Sequence, residues 1–264
     1  MNHIKYTIQD IFVSSKNYEF WVTYGNNDIA AKYRRTKLGQ LWITLTIAIF
    51  IIVIGGIFRG AFYSEYDIYL AYLSIGYISW IFMHDCIIGS CSVLVQAKPI
   101  ILQKKILIPN FIFKLIYKEL LVLSHHILLL PIIFIWLGYS TSISGLIFGI
   151  CGLILTIFTA FWVSLFLSIV CLRYLDLTPL ITSLIRIAFF ATPIVWIDSN
   201  IGRFGELVIM YNPFGYFLKI IRDPLLGYGF PIDAWIIAVV ISVLCALTSI
   251  ITLSITKDKL SYWL

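Results

Sequence analysis

Charge is scarce in this sequence. Asp, Glu, Lys and Arg make up 12% of its 264 residues, and no polar stretch is long enough to build a soluble domain. Apolar residues take their place: 61% of the chain is hydrophobic and the mean hydropathy is +0.96. Soluble domains sit near half apolar, so the composition implies the bilayer as solvent. Nucleotide fingerprints are missing too. Neither a G-x-x-x-x-G-K-[ST] loop nor a G-x-G-x-x-G turn occurs, which argues against ATP or dinucleotide chemistry on this chain. Cysteines are few: Cys86, Cys91, Cys151, Cys171 and Cys245 all fall in apolar segments without a C-x-x-C pair. That excludes a disulfide framework and predicts no metal site. The first ten residues, MNHIKYTIQD, lack the apolar region of a cleaved signal.

The charge that is present is mostly positive, with a net charge of +6. In an apolar chain this reflects loop cations that set membrane orientation rather than nucleic-acid binding. Six stretches are long and apolar enough to be spans, at roughly 20 residues each: 38–58, 68–95, 109–137, 143–172, 177–197 and 232–255. Ahead of them, Ile4, Ile8, Ile11, Phe12, Tyr18, Trp21 and Val22 recur at helical spacing among polar residues, which predicts an amphipathic helix in the membrane interface, within 1–30. YGNND at 24–28 reads as a turn. Lys and Arg gather in the N-terminal arm, the second-to-third connection, Arg173 and the C-terminal tail. The other set of connections carries only Arg59, Arg203, Lys219 and Arg222. The excess predicts both termini in the cytoplasm.

Two connections are unusual. Residues 96–108, QAKPIILQKKILI, mix apolar with basic residues and predict a short amphipathic helix across the cytoplasmic face. Residues 198–231 are too apolar for a free loop, yet Pro213, Gly215, Pro224, Gly227 and Gly229 interrupt them. They predict two short helices dipping into the outer leaflet, which survive only when covered by protein.

Six fragments, in order along nearly the whole chain, resemble the permease subunit of ABC-2 type exporters of polysaccharide, the O-antigen, capsule and teichoic-acid permeases. They are IAAKYRRTKLGQLW, YLSIGYISWIF, KPIILQKKILIPNF, CLRYLDLTPLI with ATPIVW, and YNPFGYFLKIIRDPLLG. Phe214-Gly215 departs from the usual small or Met-rich pair, and His84-Asp85 and His125-His126 are not family hallmarks. The resemblance implies an all-α membrane protein of ABC-2 type transporter fold, forming one transmembrane domain over 1–264 in the bacterial inner membrane. It implies a homodimer working with two copies of a separate ATPase, which holds the ATP and Mg. The implied cargo is polysaccharide on undecaprenyl pyrophosphate. Capsule, teichoic acid or a small amphiphile are alternatives to O-antigen, and a membrane-embedded transferase is a rival from another class. Against the rival, no loop gathers a carboxylate pair or a His-Asp set.

Candidate residues follow. Tyr33, Arg34, Arg35 and Lys37, just before the first span, either attract the lipid pyrophosphate or serve as a positive-inside anchor. Lys98, Pro99, Leu102, Lys104 and Lys105 would dock on the ATPase or form a solvated interfacial loop. Trp42, Tyr69, Tyr72, Tyr77 and Trp80 would stack on sugars or pack the core. Asn212, Pro213 and Arg222 belong to a periplasmic gate, as the resemblance implies. His84, Asp85 and Arg186 are ionisable groups at membrane depth, where they must face protein or water; a pair between Asp85 and Arg186 is expected. Arg173 and Asp176 are expected to pair on one helix face.

Overall fold

The computed structural model describes residues 2–34, 39, 41–62, 66–103, 106–196 and 202–263. Arg35, Lys37, Lys104 and Lys105 lie outside them. All regular structure among the described residues is helical: α1 (Asn2–Lys16), α2 (Tyr18–Tyr33), α3 (Leu41–Phe62), α4 (Tyr66–Gln103), α5 (Pro109–Ile127), α6 (Leu129–Leu137), α7 (Ile143–Arg173), α8 (Leu177–Ala191), α9 (Arg203–Tyr211), α10 (Pro213–Leu225), α11 (Ile232–Thr256) and α12 (Leu260–Trp263).

Among the described residues, five stretches are long and apolar enough to cross a bilayer: Leu41–Phe58, Ile68–Gln103, Pro109–Leu137, Ile143–Arg173 and Ile232–Thr256. The chain is a multi-pass membrane protein. The fifth expected span, 177–197, is not among them, and its helix is shorter than expected. Helix α8 has 15 residues, about 22 Å, against about 30 Å of hydrocarbon. Pro193 stops it. A residue before proline is pushed out of the helical region, and Thr192 is extended at φ −95°, ψ 135°. The third span is jointed at Leu128, where Pro131 removes the N–H that Ile127 would accept.

Helix α4 is the hub. It packs against α3, α5, α7, α8 and α10, and Tyr69, Leu70, Leu73, Ile75 and Leu94 along it are fully buried. Its 38 residues extend about 57 Å, well beyond the bilayer core. Residues 98–103, expected in a separate short helix, are instead the last turns of α4. Pro99 is tolerated there, and the helix runs on because Ile100 and Ile101 still pack on the core.

The N-terminal segment also differs from expectation. It forms two helices that break at Asn17, and YGNND lies inside α2 rather than at a turn. These residues make interhelical contacts instead. A side chain at Gly25 would come within 2.7 Å of the Tyr117 ring, Asn26 accepts a hydrogen bond from Tyr117 at 3.4 Å, and Asp28 pairs with Lys114 at 2.7 Å. Helix α1 is tied to α5 by Asn110 donating to Ser14 and to the end of α11 by the Asp10–Lys257 pair. Both termini therefore sit at one end of the bundle, called here the termini end.

Candidate functional site

At the opposite, far end the chain leaves regular helix inside the protein. After Ala191 the backbone runs irregularly to Trp196, and Thr192 and Ile194 are fully buried. Irregular backbone at membrane depth must find hydrogen bonds within the protein. Helix α10 and helix α4 supply them. Asn212 donates its amide to the Ala191 carbonyl at 3.1 Å and to the Thr192 hydroxyl at 2.8 Å. Its side-chain oxygen accepts from the Phe214 N–H at 3.0 Å, capping α10. One residue thus closes the end of one helix and the start of another. Pro213 fits the first position of α10, where its missing N–H costs nothing.

The next carbonyls are taken by Arg222 and two tyrosines. Arg222 donates Nη1–H to the Pro193 carbonyl at 2.7 Å. Tyr72 donates to the same oxygen at 3.0 Å, and Tyr69 donates to the Val195 carbonyl at 2.8 Å. Arg222 is 2% exposed. Its guanidinium lies 3.8 Å from the centre of the Tyr72 ring, and its Nε is 3.7 Å from the Asp223 carboxylate. A buried cation is costly unless paired and hydrogen-bonded; here a carboxylate, a ring face and a carbonyl share the task. Outside the spans, partial burial raises the phenols of Tyr139 and Tyr228 near this end.

Helix α10 can reach this position because α7 offers glycines. A Cβ at Gly145 would lie 2.3 Å from the Pro224 carbonyl oxygen, and one at Gly152 would lie 2.5 Å from that of Ile220. Gly149 faces the Leu225 side chain. Small residues at this spacing let two backbones approach. Deeper in, an aromatic group joins four helices. Tyr77 stacks on Phe50 with centroids 3.8 Å apart, and Trp80 lies 5.7 Å from Phe189 and 5.2 Å from Phe214.

The structure therefore gathers Tyr69, Tyr72, Asn212, Pro213 and Arg222 into one site and Tyr77 and Trp80 beside it. Tyr69, Tyr72 and Trp80 are buried in this conformation, and Tyr77 is half-buried. Trp42, on α3, stands apart and is exposed. At the termini end, Arg34 follows α2 and is exposed, as are Lys98, Pro99 and Leu102 on the last turns of α4; Tyr33 ends α2. Asp85 does not meet Arg186. Its carboxylate contacts the neighbouring His84 ring at 2.8 Å, while Arg186 is exposed on α8 with no carboxylate partner among the described residues. Arg173 does not share a helix with Asp176, since α7 ends between them; its guanidinium lies over Tyr174 and Trp263 instead. Buried Glu119 pairs with Lys118 at 2.7 Å.

Sequence reasoning took the 192–196 segment only as part of a motif and passed over the glycines of α7. The T-P pair ahead of a polar-poor stretch, and G-x-x-x-G-x-x-G over 145–152, were the available signals.

No family model matches the chain. The O-antigen export system permease protein RfbA of Klebsiella pneumoniae is 26% identical over 211 residues, which cover 78% of this chain and 80% of that protein. The similarity expected from the ordered fragments, to permease subunits of ABC-2 polysaccharide exporters, is borne out by this relative.

Proposed function

We propose that this chain is the membrane subunit of an ATP-driven exporter that moves undecaprenyl-pyrophosphate-linked polysaccharide, O-antigen in the first place, across the bacterial inner membrane. The observation that carries the reading is the similarity to an O-antigen export permease across about four-fifths of both chains. The far-end site supports it: α10, held against α4, α7 and α11, is a suitable closure for a path that must stay sealed at rest.

In this reading the working unit is a homodimer with two separate ATPase subunits, which bind ATP and Mg. The termini end faces the cytoplasm, in keeping with its excess of Lys and Arg. Tyr33, Arg34, Arg35 and Lys37 draw the lipid pyrophosphate to the membrane boundary, since clustered cations beside a bilayer attract phosphates. Lys98, Pro99 and Leu102, with Lys104 and Lys105, dock on the ATPase: the α4 extension offers an exposed Lys beside an exposed Leu, charge and apolar surface together. Asn212, Pro213 and Arg222 form the periplasmic gate. Opening it requires new donors for the Pro193 and Val195 carbonyls, which water or sugar hydroxyls can supply.

Deleting the gene tests this. Surface polysaccharide is expected to vanish while its lipid-linked form accumulates on the cytoplasmic side, and the intact chain is expected to restore export. Normal surface polysaccharide in the deletion strain overturns the reading.

A further inference from the structure

Helix α8, too short to cross the bilayer alone, has three faces where a helix between lipid and protein needs two. At about 100° per residue, Ile181, Ile185 and Ala188 turn toward the bundle and are buried or half-buried. Leu180, Leu184 and Ile187 make a second stripe, apolar and exposed at 52%, 54% and 65%. Ser183 and Arg186, flanked by Pro179 and Phe190, make a third stripe about a quarter-turn away, also exposed.

Arg186 lies nine residues beyond the start of α8, about 14 Å along the axis, farther than an arginine side chain reaches back to the start of the helix. At the other side α8 ends in the buried Thr192–Ile194 segment, not in water. A guanidinium facing hydrocarbon at that depth is expensive, and such groups face water or protein. None of the carboxylates described in this chain balances it.

We infer that the Ser183–Arg186 stripe of α8 faces a water-filled path through the assembled membrane unit, and that Arg186 is the contact in that path for the phosphate groups of the cargo. The inference rests on the permease reading above and adds a specific residue and ligand chemistry to it. Phosphate follows from the chemistry of an arginine fork, which takes two oxygens at once. An uncompensated cation inside a low-dielectric wall also attracts an anion more strongly than a surface cation does.

The test uses the full chain with its ATPase in inverted membrane vesicles. Ser183→Cys and Leu184→Cys are labelled with a membrane-impermeant maleimide, with the unsubstituted chain as background for the native cysteines. The thiol at 183 is expected to react about tenfold faster than the one at 184, because the reactive thiolate forms in water and not in hydrocarbon. Millimolar inorganic pyrophosphate is expected to slow labelling at 183 by about threefold or more, and Arg186→Gln in the same chain to abolish that protection. Equal labelling of the two thiols overturns the water-filled path. Protection that survives Arg186→Gln overturns the role of Arg186. Protection by glucuronate but not by pyrophosphate overturns the phosphate assignment in favour of acidic sugars. The deletion phenotype is independent of all three results, so the permease reading can stand where this one falls.

Discussion

The two ends of the bundle hold their charges in opposite ways. At the termini end, cations meet carboxylates through long side chains that water reaches: in the Asp28–Lys114 pair the carboxylate is 43% exposed. At the far end, a single buried arginine is held by a backbone carbonyl, a ring and a neighbouring carboxylate, and water scarcely reaches it. The difference teaches what each end can do. Solvated ion pairs adjust to a docking partner at little cost. A buried, directional set has two states, made or broken, which is what a gate requires.

The comparison breaks most visibly at Arg222. Arg222→Ala removes a charge-assisted hydrogen bond and a buried cation–π contact, empties a buried site beside the Asp223 carboxylate and leaves the Pro193 carbonyl to Tyr72. The expected loss is about 3–5 kcal/mol of stability, read by chemical unfolding in detergent. Arg222→Lys keeps the charge but not the planar fork, so it is expected to recover less than half. A loss under about 1 kcal/mol in Arg222→Ala would mean the site is not closed as described.

The glycines come next. Gly145→Ala and Gly152→Ala each drive a methyl group into backbone oxygen, at an expected cost of about 1–3 kcal/mol. Gly56→Ala, which meets nothing within 4 Å, serves as the control and is expected to be neutral or to gain about 0.5–1 kcal/mol from helix propensity. Equal effects at the three positions would show that α10 does not press on α7.

Asn212 sharpens the far-end account further. Asn212→Ala is expected to cost about 1–2 kcal/mol. Asn212→Asp keeps the cap on Phe214 but sets an acceptor against the Ala191 carbonyl, so it is expected to be no better than alanine. If aspartate restores stability, capping alone explains the residue.

The smallest effect belongs to the termini end. Asp28→Asn is expected to cost about 0.2–1 kcal/mol, and the difference from the unsubstituted chain should fade in about 1 M salt, where screening acts over about 3 Å. A large, salt-independent loss would make this end as rigid as the other and remove the contrast.

Much of this was legible in the sequence. Hydropathy located four of the six expected spans to within a few residues because lipid imposes a length on apolar runs; the second ran on past 95 to Gln103 and the fifth stopped short at Ala191. Proline and glycine interruptions in 198–231 announced the two short helices α9 and α10. Asn212, Pro213 and Arg222 were singled out, but not for their partners: that Arg222 would reach Pro193 depends on how far α10 sinks, which α7's glycines decide. The pairing of Asp85 with Arg186 failed because a sequence shows two charges in apolar surroundings without showing which helix faces they occupy. YGNND failed for the converse reason. Turn residues can be chosen for close packing, and the contact with Tyr117 and Lys114 outweighs their local preference.

The most direct measurement of the central claim is reconstituted transport. Sealed inverted vesicles carrying this chain and its ATPase are given lipid-linked polysaccharide from outside, and the amount protected from an added glycosidase is followed. The account predicts accumulation that needs ATP, needs this chain, and is altered when Arg222 is replaced by alanine. Polysaccharide that stays fully digestible while ATP is turned over, or that becomes protected in vesicles lacking this chain, would contradict it.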